Sequence, residues 1–363
     1  MTLVLSTDDA AQVLDIGAVI ACLEETYADL GSGSAINRGR TDLFHPTSAA
    51  IGADVPAAHQ FKTLDGAIPR HQVASIRVTS DVVAFPLVGG ARRRIKIPAA
   101  EGQTWVGLVF LFSSATGELI AILQDGILQK FAVGAINAIG AKYLARENAK
   151  CVGLIGAGNQ AGPQIAALCH VRPIEHIRVF SPDHAEAQAF CARMHSETGL
   201  SFDPANTAQE AVRGADIAVT ATNSRAPFFK SQWLEKGMHL SCMQRDEPEP
   251  DCFAKADISI FHTRMKEHEY VSGDFADMER RHNFIMRDHP ESMIDWNDFA
   301  DLGELVSGRA PCRTRDDEIT LFLNSTGVGT QFTAVARLVY ERAKAAGLGT
   351  EIPTALFNQP MPP

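Results

Sequence analysis

Apolar residues change their spacing several times along this chain, and each change marks an element. Val13, Ile16, Ile20 and Leu23 recur at helical spacing behind the polar start Ser6-Thr7-Asp8-Asp9, which predicts one surface helix over residues 6–30. A Gly/Ser loop ends in NRGR at 37–40, and residues 61–98 then read as strands with turns at Asp65-Gly66 and Gly89-Gly90. The apolar run 103–112 is a strong strand, Thr116-Gly117 a turn, and 119–123 its hairpin partner. These strands are antiparallel in style, so they predict a domain separate from the later part of the chain. Ala132, Ala135, Ile136, Ile139 and Tyr143 fit a long helix over 127–146 that bridges to the next domain.

From residue 151 the pattern becomes βαβ. Residues 151–155 read as a buried strand, 176–180, 217–221, 238–242 and 258–261 as further strands, and 184–194 as a helix, which together make a doubly wound sheet. Residues 264–296 are polar, with His268, His282 and His289 at no metal-ligand spacing, and read as a solvated helix-and-loop surface. A short helix over 301–308 and a strand over 316–323 that closes the sheet come next. NSTGVGT at 324–330 is a second glycine-rich turn, and the helix after it, 331–346, is expected to return to the first domain.

Composition narrows the class. At 363 residues the chain exceeds one ordinary core, so two domains are expected. A hydrophobic share of 45% with 21% charged residues describes a globular protein. The formal charge of −10 argues against a nucleic-acid surface. Arg92, Arg93, Arg94 and Lys96 form the one dense basic run, which reads as a solvated loop. Seven cysteines lack disulfide or zinc spacing, and the N-terminus has no secretory pattern, so a reduced cytoplasmic protein without metal or membrane span is expected.

Chemistry enters at CVGLIGAGNQAGPQIAAL, residues 151–168. Gly156, Gly158 and Ala161 fit G-x-G-x-x-A between a strand and a helix. The first glycine permits the tight turn, the second leaves bare backbone for a pyrophosphate, and the alanine lets helix and strand pack closely. Phosphates would sit on the helix N-terminus beside Asn159 and Gln160, where unpaired N–H groups and the helix dipole favour negative charge.

Several segments resemble the ornithine cyclodeaminase/μ-crystallin family, in the family's order. They are TGELIAIL at 116–123, VGAINAIGAKYLAR at 133–146, VGLIGAGNQA at 152–161, ADIAVTATNS at 215–224, DDEITLFLNSTGVGTQ at 316–331 and VYERAKAAGLG at 339–349. The resemblance implies an α/β protein of two parts. Residues 1–128 with 331–363 would form an α+β substrate-binding and dimerisation domain with a mainly antiparallel sheet, and 129–330 a Rossmann NAD(P)-binding domain. It also implies a homodimer and NAD(P) chemistry on amino acids or their imines.

The family usually presents a basic trio to the substrate carboxylate. Arg40 matches its first member; Arg77 in IRVTSD stands where a lysine is usual, with Lys62 in FKTLDG as a nearby substitute. At the third position the family reads R-[TV]-G-A and this chain reads Ala132-Val133-Gly134-Ala135. Alanine gives a carboxylate nothing where arginine gives two charge-assisted bonds. Three explanations stay open: a substrate without that carboxylate, Lys130 reaching in from half a turn earlier, or a variant altered to trap an inactive complex.

The family's catalytic Asp maps to Asp246 in LSCMQRDEPEPD, with Glu247, Glu249 and Asp251 crowding the same loop. A carboxylate there would shuttle a proton to or from the substrate nitrogen. At the end of the second Rossmann strand, Ser181 favours NADP while Asp183 keeps NAD open. By resemblance, Thr222, Asn223 and Ser224 border the cofactor, and Val328 and Gly329 pack near the nicotinamide. The expected activity is an NAD(P)-dependent imine reductase or amino acid dehydrogenase. The alternatives are a cyclodeaminase that recycles bound NAD with ammonia release, and a non-enzymatic NAD(P) or small-ligand binder.

Overall fold

A computed structural model describes residues 1–51, 55–88, 91–92, 94–99, 105–224, 226–245, 247–264, 269–272, 298–325 and 327–360. The chain divides into two compact units. The first holds Met1–Ala132, the strand Glu269–Ser272 and Val328–Pro363, and the second holds Val133–Arg264 with the described part of His289–Gly327.

The first unit is a largely antiparallel sheet. Its strands run in the order Glu269–Ser272, Thr41–Ile51, Val55–Ile68, Val73–Ala84, Val106–Ser113, Leu119–Gln124, Thr2–Leu5, Thr350–Ile352. Ile95–Ile97 pairs separately with the end of Val73–Ala84. Thr2–Leu5, absent from the sequence expectation, lies parallel to the hairpin strand Leu119–Gln124. The helix expected over 6–30 is two helices, Thr7–Val13 and Ile16–Ser32. Leu14 is extended, and the Asp15 side chain accepts from the Ala18 N–H, so a capping residue interrupts the apolar periodicity.

The C-terminal helix Gly329–Ala346 covers one face of this sheet. Ser75 Oγ lies 2.8 Å from Thr333 Oγ1, and the Arg77 guanidinium stands 4.2 Å over the Phe332 ring. Its start fits tightly on the sheet: a Cβ on Gly66 would come 2.5 Å from the Thr330 nitrogen. The helix thus returns to the N-terminal sheet, as its position after the second glycine turn led us to expect.

The second unit is a parallel sheet in the order Ser201–Pro204, His176–Phe180, Cys151–Ile155, Ile217–Thr220, His239–Cys242, Thr320–Leu323, Ile258–Phe261, Ala300–Asp301. Thr320–Leu323 does not close the sheet. It is inserted between His239–Cys242 and Ile258–Phe261, pairing in parallel with both. The long helix Asp125–Leu144 carries the chain out of the first unit. Arg172 Nη2 donates to the carbonyls of Ala141, Lys142 and Ala145, and Arg313 Nε to that of Leu144, so two cations satisfy the acceptors left over at its C-terminal end. All seven cysteines are free thiols. Among the described residues no helix is long and apolar enough to cross a membrane. Apart from Arg264 and 269–272, the stretch 264–296 expected to be a solvated surface lies outside the described residues.

Candidate active site

In the second unit the strand Cys151–Ile155 ends in the glycine turn. Gly156 has φ of +108°, and a Cβ there would press into the Ala221 carbonyl, so only glycine fits. Its N–H donates to the Phe180 carbonyl at 2.8 Å, which pins the turn to the neighbouring strand. At Gly158 a Cβ would meet nothing within 4 Å, and both Gly158 and Asn159 are exposed. The helix Ala161–Val171 starts at Gln160 with no side-chain cap, and Ala161 is fully buried against the core. An open glycine before an uncapped helix N-terminus on a parallel sheet is what a dinucleotide pyrophosphate requires, so these residues fit the cofactor.

The strand-end loops beside this turn are tied together by Glu247. Its carboxylate is fully buried. It accepts from Thr220 Oγ1 at 2.6 Å, Gln244 N at 2.8 Å, Thr222 N at 2.9 Å and Thr222 Oγ1 at 2.7 Å. Two bonds fall on each oxygen, so its acceptor capacity is filled. Burial pushes this carboxyl up, against the pull of those hydrogen bonds. Thr222 is therefore occupied in holding the loop, and Ser224 continues it, its N–H donating to Thr222 Oγ1 and its hydroxyl to the Ala226 carbonyl. Asn223 between them is exposed. Asp246 lies outside the described residues.

At the second strand's end, Ser181 Oγ donates to Glu186 Oε2 at 2.7 Å, and Asp183 caps the helix His184–Thr198 through the N–H groups of Ala185 and Glu186. Ser181 thus already has a carboxylate partner, a neighbour that the sequence spacing did not reveal.

The basic residues lie in the first unit, on the sheet face that the C-terminal helix partly covers. Arg40 faces buried Asp42, its Nε 2.7 Å and Nη2 2.9 Å from the two carboxylate oxygens. Arg77, expected as a carboxylate partner for substrate, has its guanidinium on Asp125, with Nε at 2.7 Å and Nη2 at 2.6 Å. Gly107 leaves the space that Asp125 fills. Lys62 is 8% exposed, and its Nζ lies 2.9 Å from Asp81. Lys96 Nζ at 2.8 Å and Arg94 Nη2 at 3.4 Å meet the same carboxylate, and Arg94 also donates to Gln60 at 2.7 Å. The basic run is therefore no solvated loop at these two positions. The strand Ile95–Ile97 pairs Lys96 opposite Val83 and so brings it to the face of Asp81, a long-range placement that no local signal announces.

Burial, followed by the nearby charges of Arg94 and Arg40, pushes the Lys62 ammonium well down, with Asp81 opposing. Burial raises the Asp81 carboxyl, but Lys62 and Lys96 outweigh it and hold the group well below the usual carboxylate range. Lys130 is exposed on the long helix, and Ala132 is fully buried. Val328 is buried, and Gly329 packs directly on the Asp65 backbone, so both have a packing role at the start of the C-terminal helix.

With this geometry in view, known proteins give a consistent comparison. A Δ1-pyrroline-2-carboxylate reductase of Bacillus cereus (strain ATCC 14579) is 32% identical over 256 residues, which is 69% of this chain and 75% of that protein. The solved Thermococcus litoralis Δ1-pyrroline-2-carboxylate reductase in complex with NADH and L-proline superposes with a TM-score of 0.75 at 25% identity, covering 97% of this chain and 100% of that one. The Paracoccus denitrificans iminosuccinate reductase in complex with NAD+ gives a TM-score of 0.73 at 25% identity, covering 97% and 99%. The family model described as ornithine cyclodeaminase/mu-crystallin matches residues 77–347. That span holds the glycine turn, Glu247 and the Asp81–Arg94–Lys96 group, and the chain belongs to the ornithine cyclodeaminase/mu-crystallin family.

Proposed function

We propose that this chain is an NAD(P)-dependent imine reductase or amino acid dehydrogenase acting on an amino or imino acid. The observation that carries this reading is the open Gly158 before the uncapped helix Ala161–Val171. The nicotinamide held there would supply hydride to the C=N carbon of an imine, or take it from the C–H carbon that bears the corresponding amine. Gly156, Gly158, Asn159, Gln160 and Ala161 hold the dinucleotide, while Glu247 fixes the adjoining Thr222 loop. Asp246 takes the proton role at the substrate nitrogen. Lys62 supplies charge for a substrate carboxylate, and Arg40 adds its remaining donors.

NAD is the favoured form. A 2′-phosphate at Ser181 would meet the Glu186 carboxylate that already accepts from this hydroxyl. Replacing that acid by Glu186→Gln is expected to strengthen NADPH binding by about tenfold and leave NADH nearly unchanged, measured by fluorescence titration. A homodimer is supported by the face of the first sheet opposite the basic residues. Leu43, Phe61 and Val106 lie in one cross-strand row with Ser80, and Leu43, Phe61, Val106 and Trp105 are all exposed.

NADH oxidation against cyclic and acyclic imino acids tests the activity. Net consumption of NADH supports the reductase. Ammonia release from diamino acids without net cofactor change would replace it with the cyclodeaminase, and cofactor binding without either reaction would leave a binder.

A further inference from the structure

We propose that Arg94 and Lys96, together with Lys62 and Thr79, form the carboxylate site of this chain in place of the arginine missing at position 132. The inference rests on the reading that the ligand is an amino or imino acid, and it deepens that reading by assigning two specificity-determining residues.

Four observations meet here. First, among the described residues Arg40 is paired with Asp42 and Arg77 with Asp125. Among the described residues Lys62 and Lys96 share the carboxylate of Asp81, which Arg94 also reaches. Each ammonium keeps further N–H donors beyond the one that Asp81 takes. Second, the centre of the group is desolvated, while Arg94 and Lys96 are half-buried at its edge. Asp81 is 1% exposed and Lys62 8%, so positive charge beyond what Asp81 balances is costly there until an anion enters. The depression of the Lys62 ammonium, by burial first and by neighbouring cations next, has the same origin.

Third, Thr79 is 3% exposed, and its hydroxyl has no hydrogen-bond partner. Buried hydroxyls are ordinarily satisfied. Thr79 sits directly opposite Lys62 in the antiparallel register and two residues from Asp81 on the same strand face, and on its other side Asp125 fills the space left by Gly107. A carboxylate oxygen accepting from Lys62 is within the ordinary reach of such a cross-strand neighbour. Fourth, Ala132 is fully buried and Lys130 exposed, so neither supplies the absent fork. The guanidinium of Arg94 does so from the segment leading into the strand Ile95–Ile97, which the family's helix-borne arginine does not use.

The test uses the full chain loaded with NADH and reads binding by calorimetry, with probe pairs that differ only in charge: pyrrole-2-carboxylate against pyrrole-2-carboxamide, and propionate against propionamide. The acids are expected to bind at least about tenfold more tightly than the amides. Arg94→Gln and Lys96→Gln should each remove most of that preference while leaving amide binding unchanged. Arg94→Lys should restore part of it, and Lys130→Gln should leave it intact. The inference is overturned if acids and amides bind alike, if no probe binds, if both variants weaken acid and amide equally, or if Lys130→Gln abolishes the preference. Because binding is read separately, a chain that discriminates charge but never oxidises NADH would refute the reductase reading and leave this site standing.

Discussion

The glycine turn and the basic cluster encode a binding site in opposite ways. Between Cys151 and Val171 every determinant is local: strand, turn and helix follow one another, and the bare backbone at Gly158 is a direct consequence of residue spacing. Around Asp81 nothing is local. Lys62, Thr79, Asp81, Arg94 and Lys96 come from three strands and the approach to one of them, and only their register places them together. A site of the first kind tolerates no change of conformation, whereas one of the second kind is governed by charge and burial.

The largest effects should therefore come from conformation. Gly156→Ala forces a side chain into φ of +108° and onto the Ala221 carbonyl, and is expected to destabilise the second unit by about 3 kcal/mol or more in urea unfolding. Glu247→Ala strands four donors, two of them backbone N–H groups, and should cost about 3 kcal/mol with weaker NADH binding. Gly158→Ala sharpens the contrast. Its Cβ meets nothing in the protein, so unfolding should be nearly unchanged while NADH affinity falls by about tenfold, ~1.4 kcal/mol. If Gly158→Ala unfolds the protein as readily as Gly156→Ala, the division of roles between the two glycines is wrong.

The same contrast explains what was legible in the sequence. The Rossmann strand and its helix and the hairpin of Val106–Ser113 with Leu119–Gln124 follow from spacing and turn residues, and the return of the C-terminal helix to the first sheet from its place in the chain after the strands of the second. Thr2–Leu5 escaped because four residues beside a helix cap carry too little periodicity, and its parallel partner lies over a hundred residues away by register with Ala121. Thr320–Leu323 is apolar in either an edge or a central position, so pattern alone does not place it between two other strands. Glu247 looked like one of several loop acids, and only its hydrogen bonds to Thr220, Thr222 and Gln244 single it out. Arg94 and Lys96 read as solvated because a run of cations shows no sign of the distant acid that anchors it.

The smallest expected effect on stability is also the most discriminating, and it concerns Lys62. Burial and the cations Arg94, Arg40 and Lys96 lower its pKa in the folded protein, while Asp81 on the neighbouring strand opposes them, so the folded state holds this proton less tightly than the unfolded chain does. Between the depressed folded value and the usual value near 10.5 the unfolded chain binds more protons, and the stability of the ligand-free protein should rise with pH. Carboxylate binding has the opposite sign, because it needs the charged ammonium, and should weaken as pH climbs through the same window. Lys62→Met separates the two: it removes both pH dependences, raises or leaves unchanged the thermal stability of the ligand-free protein, and lowers carboxylate affinity by about tenfold. Asp81 keeps Lys96 and Arg94 in that variant, so no buried acid is left alone. Should Lys62→Met destabilise strongly and leave carboxylate binding intact, Lys62 is a structural partner of Asp81, and the charge surplus around it has no ligand to answer.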